Sequence, residues 1–562
     1  MISFQSQTFS GVATLISSGD VIDLTRSIIM ASSQTLKKIG FASFIMMASV
    51  FASRIIGLGR EAAIAWVGGA GSGVDAYQVS FVIPEILNHV VASGFLSITF
   101  IPIFSRYLSE GREREGYRVF SIIFNGFGLA LLLFIAVSIY FAPELIRILA
   151  PGLKPGPTFD MAVRMTRIII PAQFFFFSGG LFMAVQFSRE RFFIPALAPL
   201  IYNIGIISGG LLLHPYFGME GFAWGVLGGA FAGSFLVQLW GARRTGLTYI
   251  VSFDLCHPDF KKYILVTLPL MLGLTMTFST EILMKFFGSF LDEGSISAMN
   301  YALRIMFILV GFFGQAVGTA SYPFMARIAA QKDFKRLNAL INQTLKFMFL
   351  VIPFSVLFMV LKKEVVSILF QRGAFDSHAL EVTSGVLPYF MAGAFAFSAQ
   401  TIVSRGYFAT QNTIFPALFS TVCVLAGLPL IYAGMILIGV KGVALGLSVS
   451  VALTTGLLFE AWSRKTGNDG KYEVYRFFGV TVLVSLVTGL ASEAAYRGLV
   501  LLIPAHGLIP DFSICMVTGI IFLILLGMMG RLCRIPEIQT LYEKLFIKVM
   551  PWVKNKRSTP DH

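Results

Sequence analysis

Apolar residues run along this chain in blocks of roughly 20, the length needed to cross the hydrocarbon core of a bilayer as a helix. About fourteen such blocks can be counted, centred near residues 48, 88, 130, 175, 203, 230, 273, 308, 350, 395, 424, 450, 484 and 521. Short polar loops separate them. The pattern predicts an all-α, polytopic membrane protein.

The blocks also repeat. "IPIFSR" at 101–106 shares its Pro-to-Arg spacing with "YPFMAR" at 322–327, and "ELIRIL" at 144–149 matches "EVVSIL" at 364–369. "TFD" at 158–160 matches "AFD" at 374–376, and "SRERFFIPAL" at 188–197 resembles "SRGYFATQNTIFPAL" at 404–418. Matches in one order at nearly constant offset imply two six-helix lobes in the same orientation, related by an axis along the membrane normal. Two further C-terminal helices follow. The expected divisions are an extension at 1–33, a first lobe at 34–250, a second lobe at 251–466, two added helices at 467–534 and a basic amphipathic tail at 535–562. Pro84, Pro171, Pro195, Pro323, Pro388 and Pro416 fall in or beside the blocks, where proline kinks serve as transporter hinges or are simply tolerated.

Composition sharpens this reading. Of 562 residues, 56% are hydrophobic and 13% charged, with a mean hydropathy of +0.79. A water-soluble chain carries about a quarter charged residues, so much of this surface must face lipid. The net charge of +14 sits in loops between blocks, which argues against a nucleic-acid partner. Arg106, Arg112, Arg114 and Arg118, then Arg189 and Arg191, then Arg243, Arg244, Lys261 and Lys262 fall on alternate loops. Arg327, Lys332, Lys335 and Arg336, Arg405, and Arg464, Lys465 and Lys471 continue the series, whereas the opposite loops are poorer. By the positive-inside rule both termini are cytoplasmic, and the tail lies on the inner leaflet. Cys256, Cys423, Cys515 and Cys533 are scattered and read as free thiols. Residues 1–29 lack the shape of a cleavable signal, and Met30 reads either as the natural start or as following a disordered extension.

Candidate chemistry lies in charges placed inside the blocks. In "FASFIMMASVFASRIIGLGRE" (41–61), Arg54 and Arg60 follow an apolar run. Each either snorkels to the interface or lines a polar cavity, because an arginine at mid-bilayer costs roughly 2.5–3.5 kcal/mol on insertion scales. On a helix the two lie about 9 Å apart along the axis. Arg304, in the eighth block, corresponds to position 84 at the repeat offset, near Glu85 and Asn88. The expectation is that Arg54, Arg60 and Arg304 face one cavity between the lobes without carboxylates to neutralise them. Asp75 would orient an arginine or touch ligand, and Glu281 would pair with Lys285 one turn on or couple an ion. Forked guanidinium groups suit phosphate. No nucleotide-binding loop is present, so the membrane potential or a coupled ion would drive transport, at about 2.3 kcal/mol per charge per 100 mV. No catalytic residue, metal or cofactor is expected.

The motifs "SRIIGLGRE", "GAGSGVDAYQVSFVIPE", "SGFLSITFIP", "APGL", "FFIPALAPLIYN", "LFQRGAF" and "YFATQNTIFP" together resemble the MurJ (MviN) lipid II flippase family of the multidrug/oligosaccharidyl-lipid/polysaccharide exporter superfamily. The resemblance covers about residues 34–530. It implies fourteen helices, a cationic central cavity, a lipid groove at the last two helices, and residence in a bacterial inner membrane. The cargo would be lipid II, moved outward by alternating access in the service of peptidoglycan synthesis, with cell-wall synthesis proteins as partners. Arg54, Arg60 and Arg304 fall on its functional arginines and Asp75 on its aspartate, with Ser53, Glu61 and Glu85 in support. Asn88 stands where the family has arginine and Ser93 where it has glutamate; Leu303 also replaces an acidic residue. His89 would add a pH-dependent charge or a neutral packing group. These departures keep open a different polyprenyl-linked glycan as cargo; a cation-coupled drug exporter and a membrane glycosyltransferase are the remaining readings.

Overall fold

The computed structural model describes residues 45–91, 99–274, 279–502 and 507–539. The extension at 1–33, most of the tail and Ser93 therefore lie outside the described residues, as do the side chains of Asn88 and His89. Among the described residues all regular structure is helical. Ten helices are long and apolar enough to cross a membrane, or eleven if Ser377–Met391 and Ala394–Ala409, bent by 42°, form one span. Three more helical stretches, 45–68, 72–109 and 258–288, adjoin or cross undescribed residues.

The repeat is sharper in the backbone than in the residues. Phe193–Phe217 and Ile414–Ile438 begin and end 221 residues apart. Left-handed backbone recurs at that same interval: Gly111 and Lys332, Glu190 and Gln411, Gly218 and Gly439, Gly246 and Gly467. Three of these eight are not glycine, although left-handed backbone costs an ordinary residue about 1–2 kcal/mol. The same turns are thus built twice with different side chains. The interval drifts in the first helix of each half, which ends at residue 68 in one and at Gly288 in the other.

Hydropathy alone does not say which helices are central. Within Ser295–Gly314, 78% of the apolar window is buried, against 11% in Ile414–Ile438. The former is packed over most of its surface, with Tyr301, Ala302, Leu303, Ile305 and Met306 inaccessible. The latter leaves Leu418, Val422, Leu425 and Leu437 exposed, as a helix must when lipid is its solvent. Where helices pack tightly, glycine lets backbones meet: Gly205 and Gly209 lie against Gly229 and Gly225, and Gly434 against Gly442 in the second half.

Candidate functional site

Six helices carry the charged groups of the site and the amides that bond them: α1 (45–68), α2 (Ser72–Ser80), α3 (Val82–Val91), α4 (Phe193–Phe217), α5 (Ser279–Gly288) and α6 (Ser295–Val310). Between them lies a cavity of about 230 Å³, lined among others by Arg60, Glu61, Tyr77, Gln78, Glu85, Gln173, Tyr202 and Arg304. Arg60 and Arg304 therefore share one chamber, although they are far apart in sequence and belong to different halves of the repeat.

The cavity is not a set of unneutralised arginines, and this corrects the sequence expectation. Arg60 Nη2 lies 2.7 Å from Glu61 Oε1, and its Nη1 donates to Asn203 Oδ1 at 3.1 Å. Arg304 donates through Nη1 and Nη2 to the two carboxylate oxygens of Glu281 at 3.2 and 3.3 Å. Its Nε sits 3.9 Å from Glu61 Oε1. Glu61, with 5% of its side chain exposed, also accepts from Asn300 Nδ2 at 3.3 Å. One carboxylate of α1 thus holds both an arginine of its own helix and two side chains of α6. A charge this buried persists only when paired and hydrogen-bonded.

Glu281 and Lys285 do not pair along α5 as expected. Lys285, fully inaccessible, bonds Glu85 Oε2 of α3 at 2.8 Å, while Glu281 turns to Arg304. The longer reach gives each of these charges an opposite partner, whereas an i,i+4 pair along α5 would have taken Lys285 from Glu85.

Asp75 does not orient an arginine either. Its two oxygens accept the backbone N–H groups of Gly294 and Ser297, at 2.6 and 2.7 Å. These are orphan donors at the N-terminus of α6, and a carboxylate there complements the helix dipole. Asp75, from α2, thereby caps the helix that carries Arg304. Its influence on the cavity runs through the placement of that helix.

Arg54 stands apart. It is exposed, does not line the cavity, and lays its guanidinium against Gly311, at the π-helical turn Gly311–Gln315 that follows α6. It lies beside the helix of Arg304, two turns further along. Ser53 receives a 3.3 Å hydrogen bond from Asn203 Nδ2, so it steadies the amide that holds Arg60. Asn203 and Asn300 were not picked out in the sequence. Both are amides buried in otherwise apolar helices, which is the signal that could have found them. No group of three or more histidine, cysteine or acidic side chains among the described residues is placed to hold a metal ion.

Beyond the cavity the two halves meet through hydrogen bonds that each engage at least one backbone group. Ala374 N–H donates to Trp66 O at 2.8 Å, Tyr301 Oη donates to Gly69 O at 2.9 Å, and Gly152 N–H donates to Ser289 Oγ at 3.0 Å. At Gly294, whose φ of 86° suits glycine, a Cβ would collide with Ala70 O. This end of the molecule is sealed.

Comparison with known proteins places this architecture. A family model described as lipid II flippase MurJ matches residues 64–505; Asp75, Glu85, Glu281 and Arg304 lie within the match, and Arg54, Arg60 and Glu61 just before it. The chain is 27% identical over 419 residues to the lipid II flippase MurJ of Burkholderia cenocepacia, spanning 72% of this chain and 80% of that one. It is 29% identical over 425 residues to a probable lipid II flippase MurJ of Thermotoga maritima, spanning 75% and 84%. A solved structure of lipid II flippase MurJ in an inward closed conformation superposes with a TM-score of 0.71 at 24% identity, over 87% of this chain and 99% of that one. An inward-facing multidrug resistance MATE family transporter of the MOP superfamily reaches 0.60 at 15% identity, over 75% and 95%. The structural likenesses speak for the fold, and the family model, which spans well over half of the sequence, speaks for the lineage: this chain belongs to the lipid II flippase MurJ family.

Proposed function

We infer that this protein is a lipid II flippase of a bacterial inner membrane, moving a polyprenyl-diphosphate-linked peptidoglycan precursor from the inner to the outer leaflet. The observation that carries the reading is the chamber in which Arg60 and Arg304, from different halves of the repeat, converge. Two forked guanidinium groups can grip a diphosphate from both sides. The glycan would share the cavity, and the prenyl chain would stay among lipids beside the added helices at 467–534. The reaction is transport and breaks no covalent bond.

The distribution of Lys and Arg supports fourteen spans with both termini cytoplasmic. In that orientation the sealed end faces outward and the cavity opens inward, ready to load. Opening the sealed end and closing the other completes alternating access. Each negative charge carried outward gains about 2.3 kcal/mol per 100 mV of inside-negative potential, so no nucleotide is needed. Glu61, Glu85 and Glu281 do line or border the cavity, but Arg60, Arg304 and Lys285 engage them, which leaves no excess negative charge for a cationic drug.

The deciding experiment is depletion of the protein followed by analysis of lipid-linked precursors. Lipid II accumulating on the inner leaflet supports the reading. Build-up of another polyprenyl-linked glycan would assign the cargo to the departures at Asn88, Ser93 and Leu303. Orientation is tested separately with Cys256, exposed in the loop joining the halves, which an impermeant thiol reagent should label only after the membrane is breached.

A further inference from the structure

The carboxylates around the two arginines raise a question that diphosphate binding alone does not answer. Arg304 spends both Nη groups on Glu281, so it enters the empty carrier with its forked face occupied. Glu281 and Glu61 differ in how firmly they are held. Glu61 is 5% exposed and serves Arg60, Arg304 and Asn300 together. Glu281 is 17% exposed, and Arg304 is 29% exposed toward the cavity. Moving Glu61 would break contacts on two helices; moving Glu281 opens the forked pair with Arg304 that a ligand would replace.

We propose that Glu281 is a resident counter-ion that occupies Arg304 while the carrier is empty and is exchanged for the diphosphate when cargo enters. The inference rests on the lipid II reading for the identity of that cargo and adds a specificity element to it. Only a ligand bearing a forked, multiply charged anion competes with a bidentate carboxylate, so a neutral or singly charged lipid cannot open the pair. The displaced Glu281 then faces Glu85, Glu61 and the incoming anion from neighbouring helices, with Lys285 one turn along its own helix and Arg60 across the cavity. Repulsion from the new anion is met by Lys285, already in reach of Glu85.

The test uses the full chain in lipid nanodiscs. Lipid II binding is measured for wild type, Glu281→Gln and Glu281→Asp, with inorganic pyrophosphate and undecaprenol as parallel probes. Removing the competing charge should tighten lipid II and pyrophosphate about tenfold, the scale of one charge-assisted hydrogen bond. Glu281→Asp should stay near wild type, and undecaprenol binding should not change. Unchanged or weaker diphosphate binding by Glu281→Gln, or an equal shift for undecaprenol, would overturn the proposal by making Glu281 a structural partner. If pyrophosphate follows the expected pattern while lipid II binds to neither form, the counter-ion role stands and the cargo assignment fails.

Discussion

Two places along α1, about two turns apart, show opposite ways of joining the same halves. At Arg60 and Glu61 the halves are held by side-chain charges around an open cavity. At Trp66, and just past the helix at Gly69, backbone carbonyls of one half accept from Ala374 N–H and Tyr301 Oη of the other, and no room remains for a Cβ at Gly294. The contrast teaches that closure here is a matter of side-chain size. A seam of glycine and backbone carbonyls excludes water and seals, while long paired side chains keep a wet space whose contacts a ligand can exchange.

The largest effect expected at the cavity is from Arg304→Ala, which removes the guanidinium shared by Glu61 and Glu281 and leaves both carboxylates facing each other. Transport in reconstituted vesicles should fall at least a hundredfold with membrane insertion intact; near-normal transport would mean that the cavity does not grip its cargo through this residue. Next is Lys285→Met, which strands Glu85 without a partner and should cost about 3–5 kcal/mol. Adding Glu85→Gln should return most of that loss, and a thermal unfolding series in detergent reads both. If the double variant is no better than the single, the pair is not the unit that its 2.8 Å contact implies.

At the sealed end, Asp75→Asn keeps the shape but gives up the charge facing two α6 N–H groups. A loss of about 1.5–3 kcal/mol is expected, together with a weaker grip on lipid II through displacement of Arg304. A stability change without any change in binding would separate the cap from the cavity. The smallest effect belongs to Arg106→Ala. Its Nη2 alone donates to both Asp259 oxygens, at 2.9 and 3.0 Å, and 46% of the side chain is exposed, so a loss of no more than about 1 kcal/mol should appear, shrinking with added salt.

Much of this architecture was readable from patterns. Apolar blocks of bilayer length predicted helices such as Glu113–Tyr140 and Leu508–Leu532 because lipid forces every backbone group to bond within its own segment. The repeat was visible in short motifs at nearly constant offset, and the backbone turns hold the interval at 221 from Gly111 to Gly467 even where side chains differ, as at Glu190 and Gln411. Arg60 and Arg304 were singled out correctly as meeting in one space, whereas Arg54 lies outside it. The carboxylate partners were misassigned for a plain reason: local spacing offers Glu281 to Lys285, but burial asks each charge for the best partner in three dimensions.

What the sequence determined by itself is that this chain lives in a membrane, in two similar halves, with costly charges kept inside; hydropathy and cost of burial are local properties that each residue carries with it. Which helix sits at the centre, which carboxylate meets which guanidinium, and which end is sealed were decided by the tertiary structure alone. Ser295–Gly314 and Ile414–Ile438 have comparable hydropathies of 1.7 and 2.3, yet one is enclosed by protein and the other by lipid. The two surroundings are almost equally apolar, so hydrophobicity cannot choose between them and packing with polar pairing must.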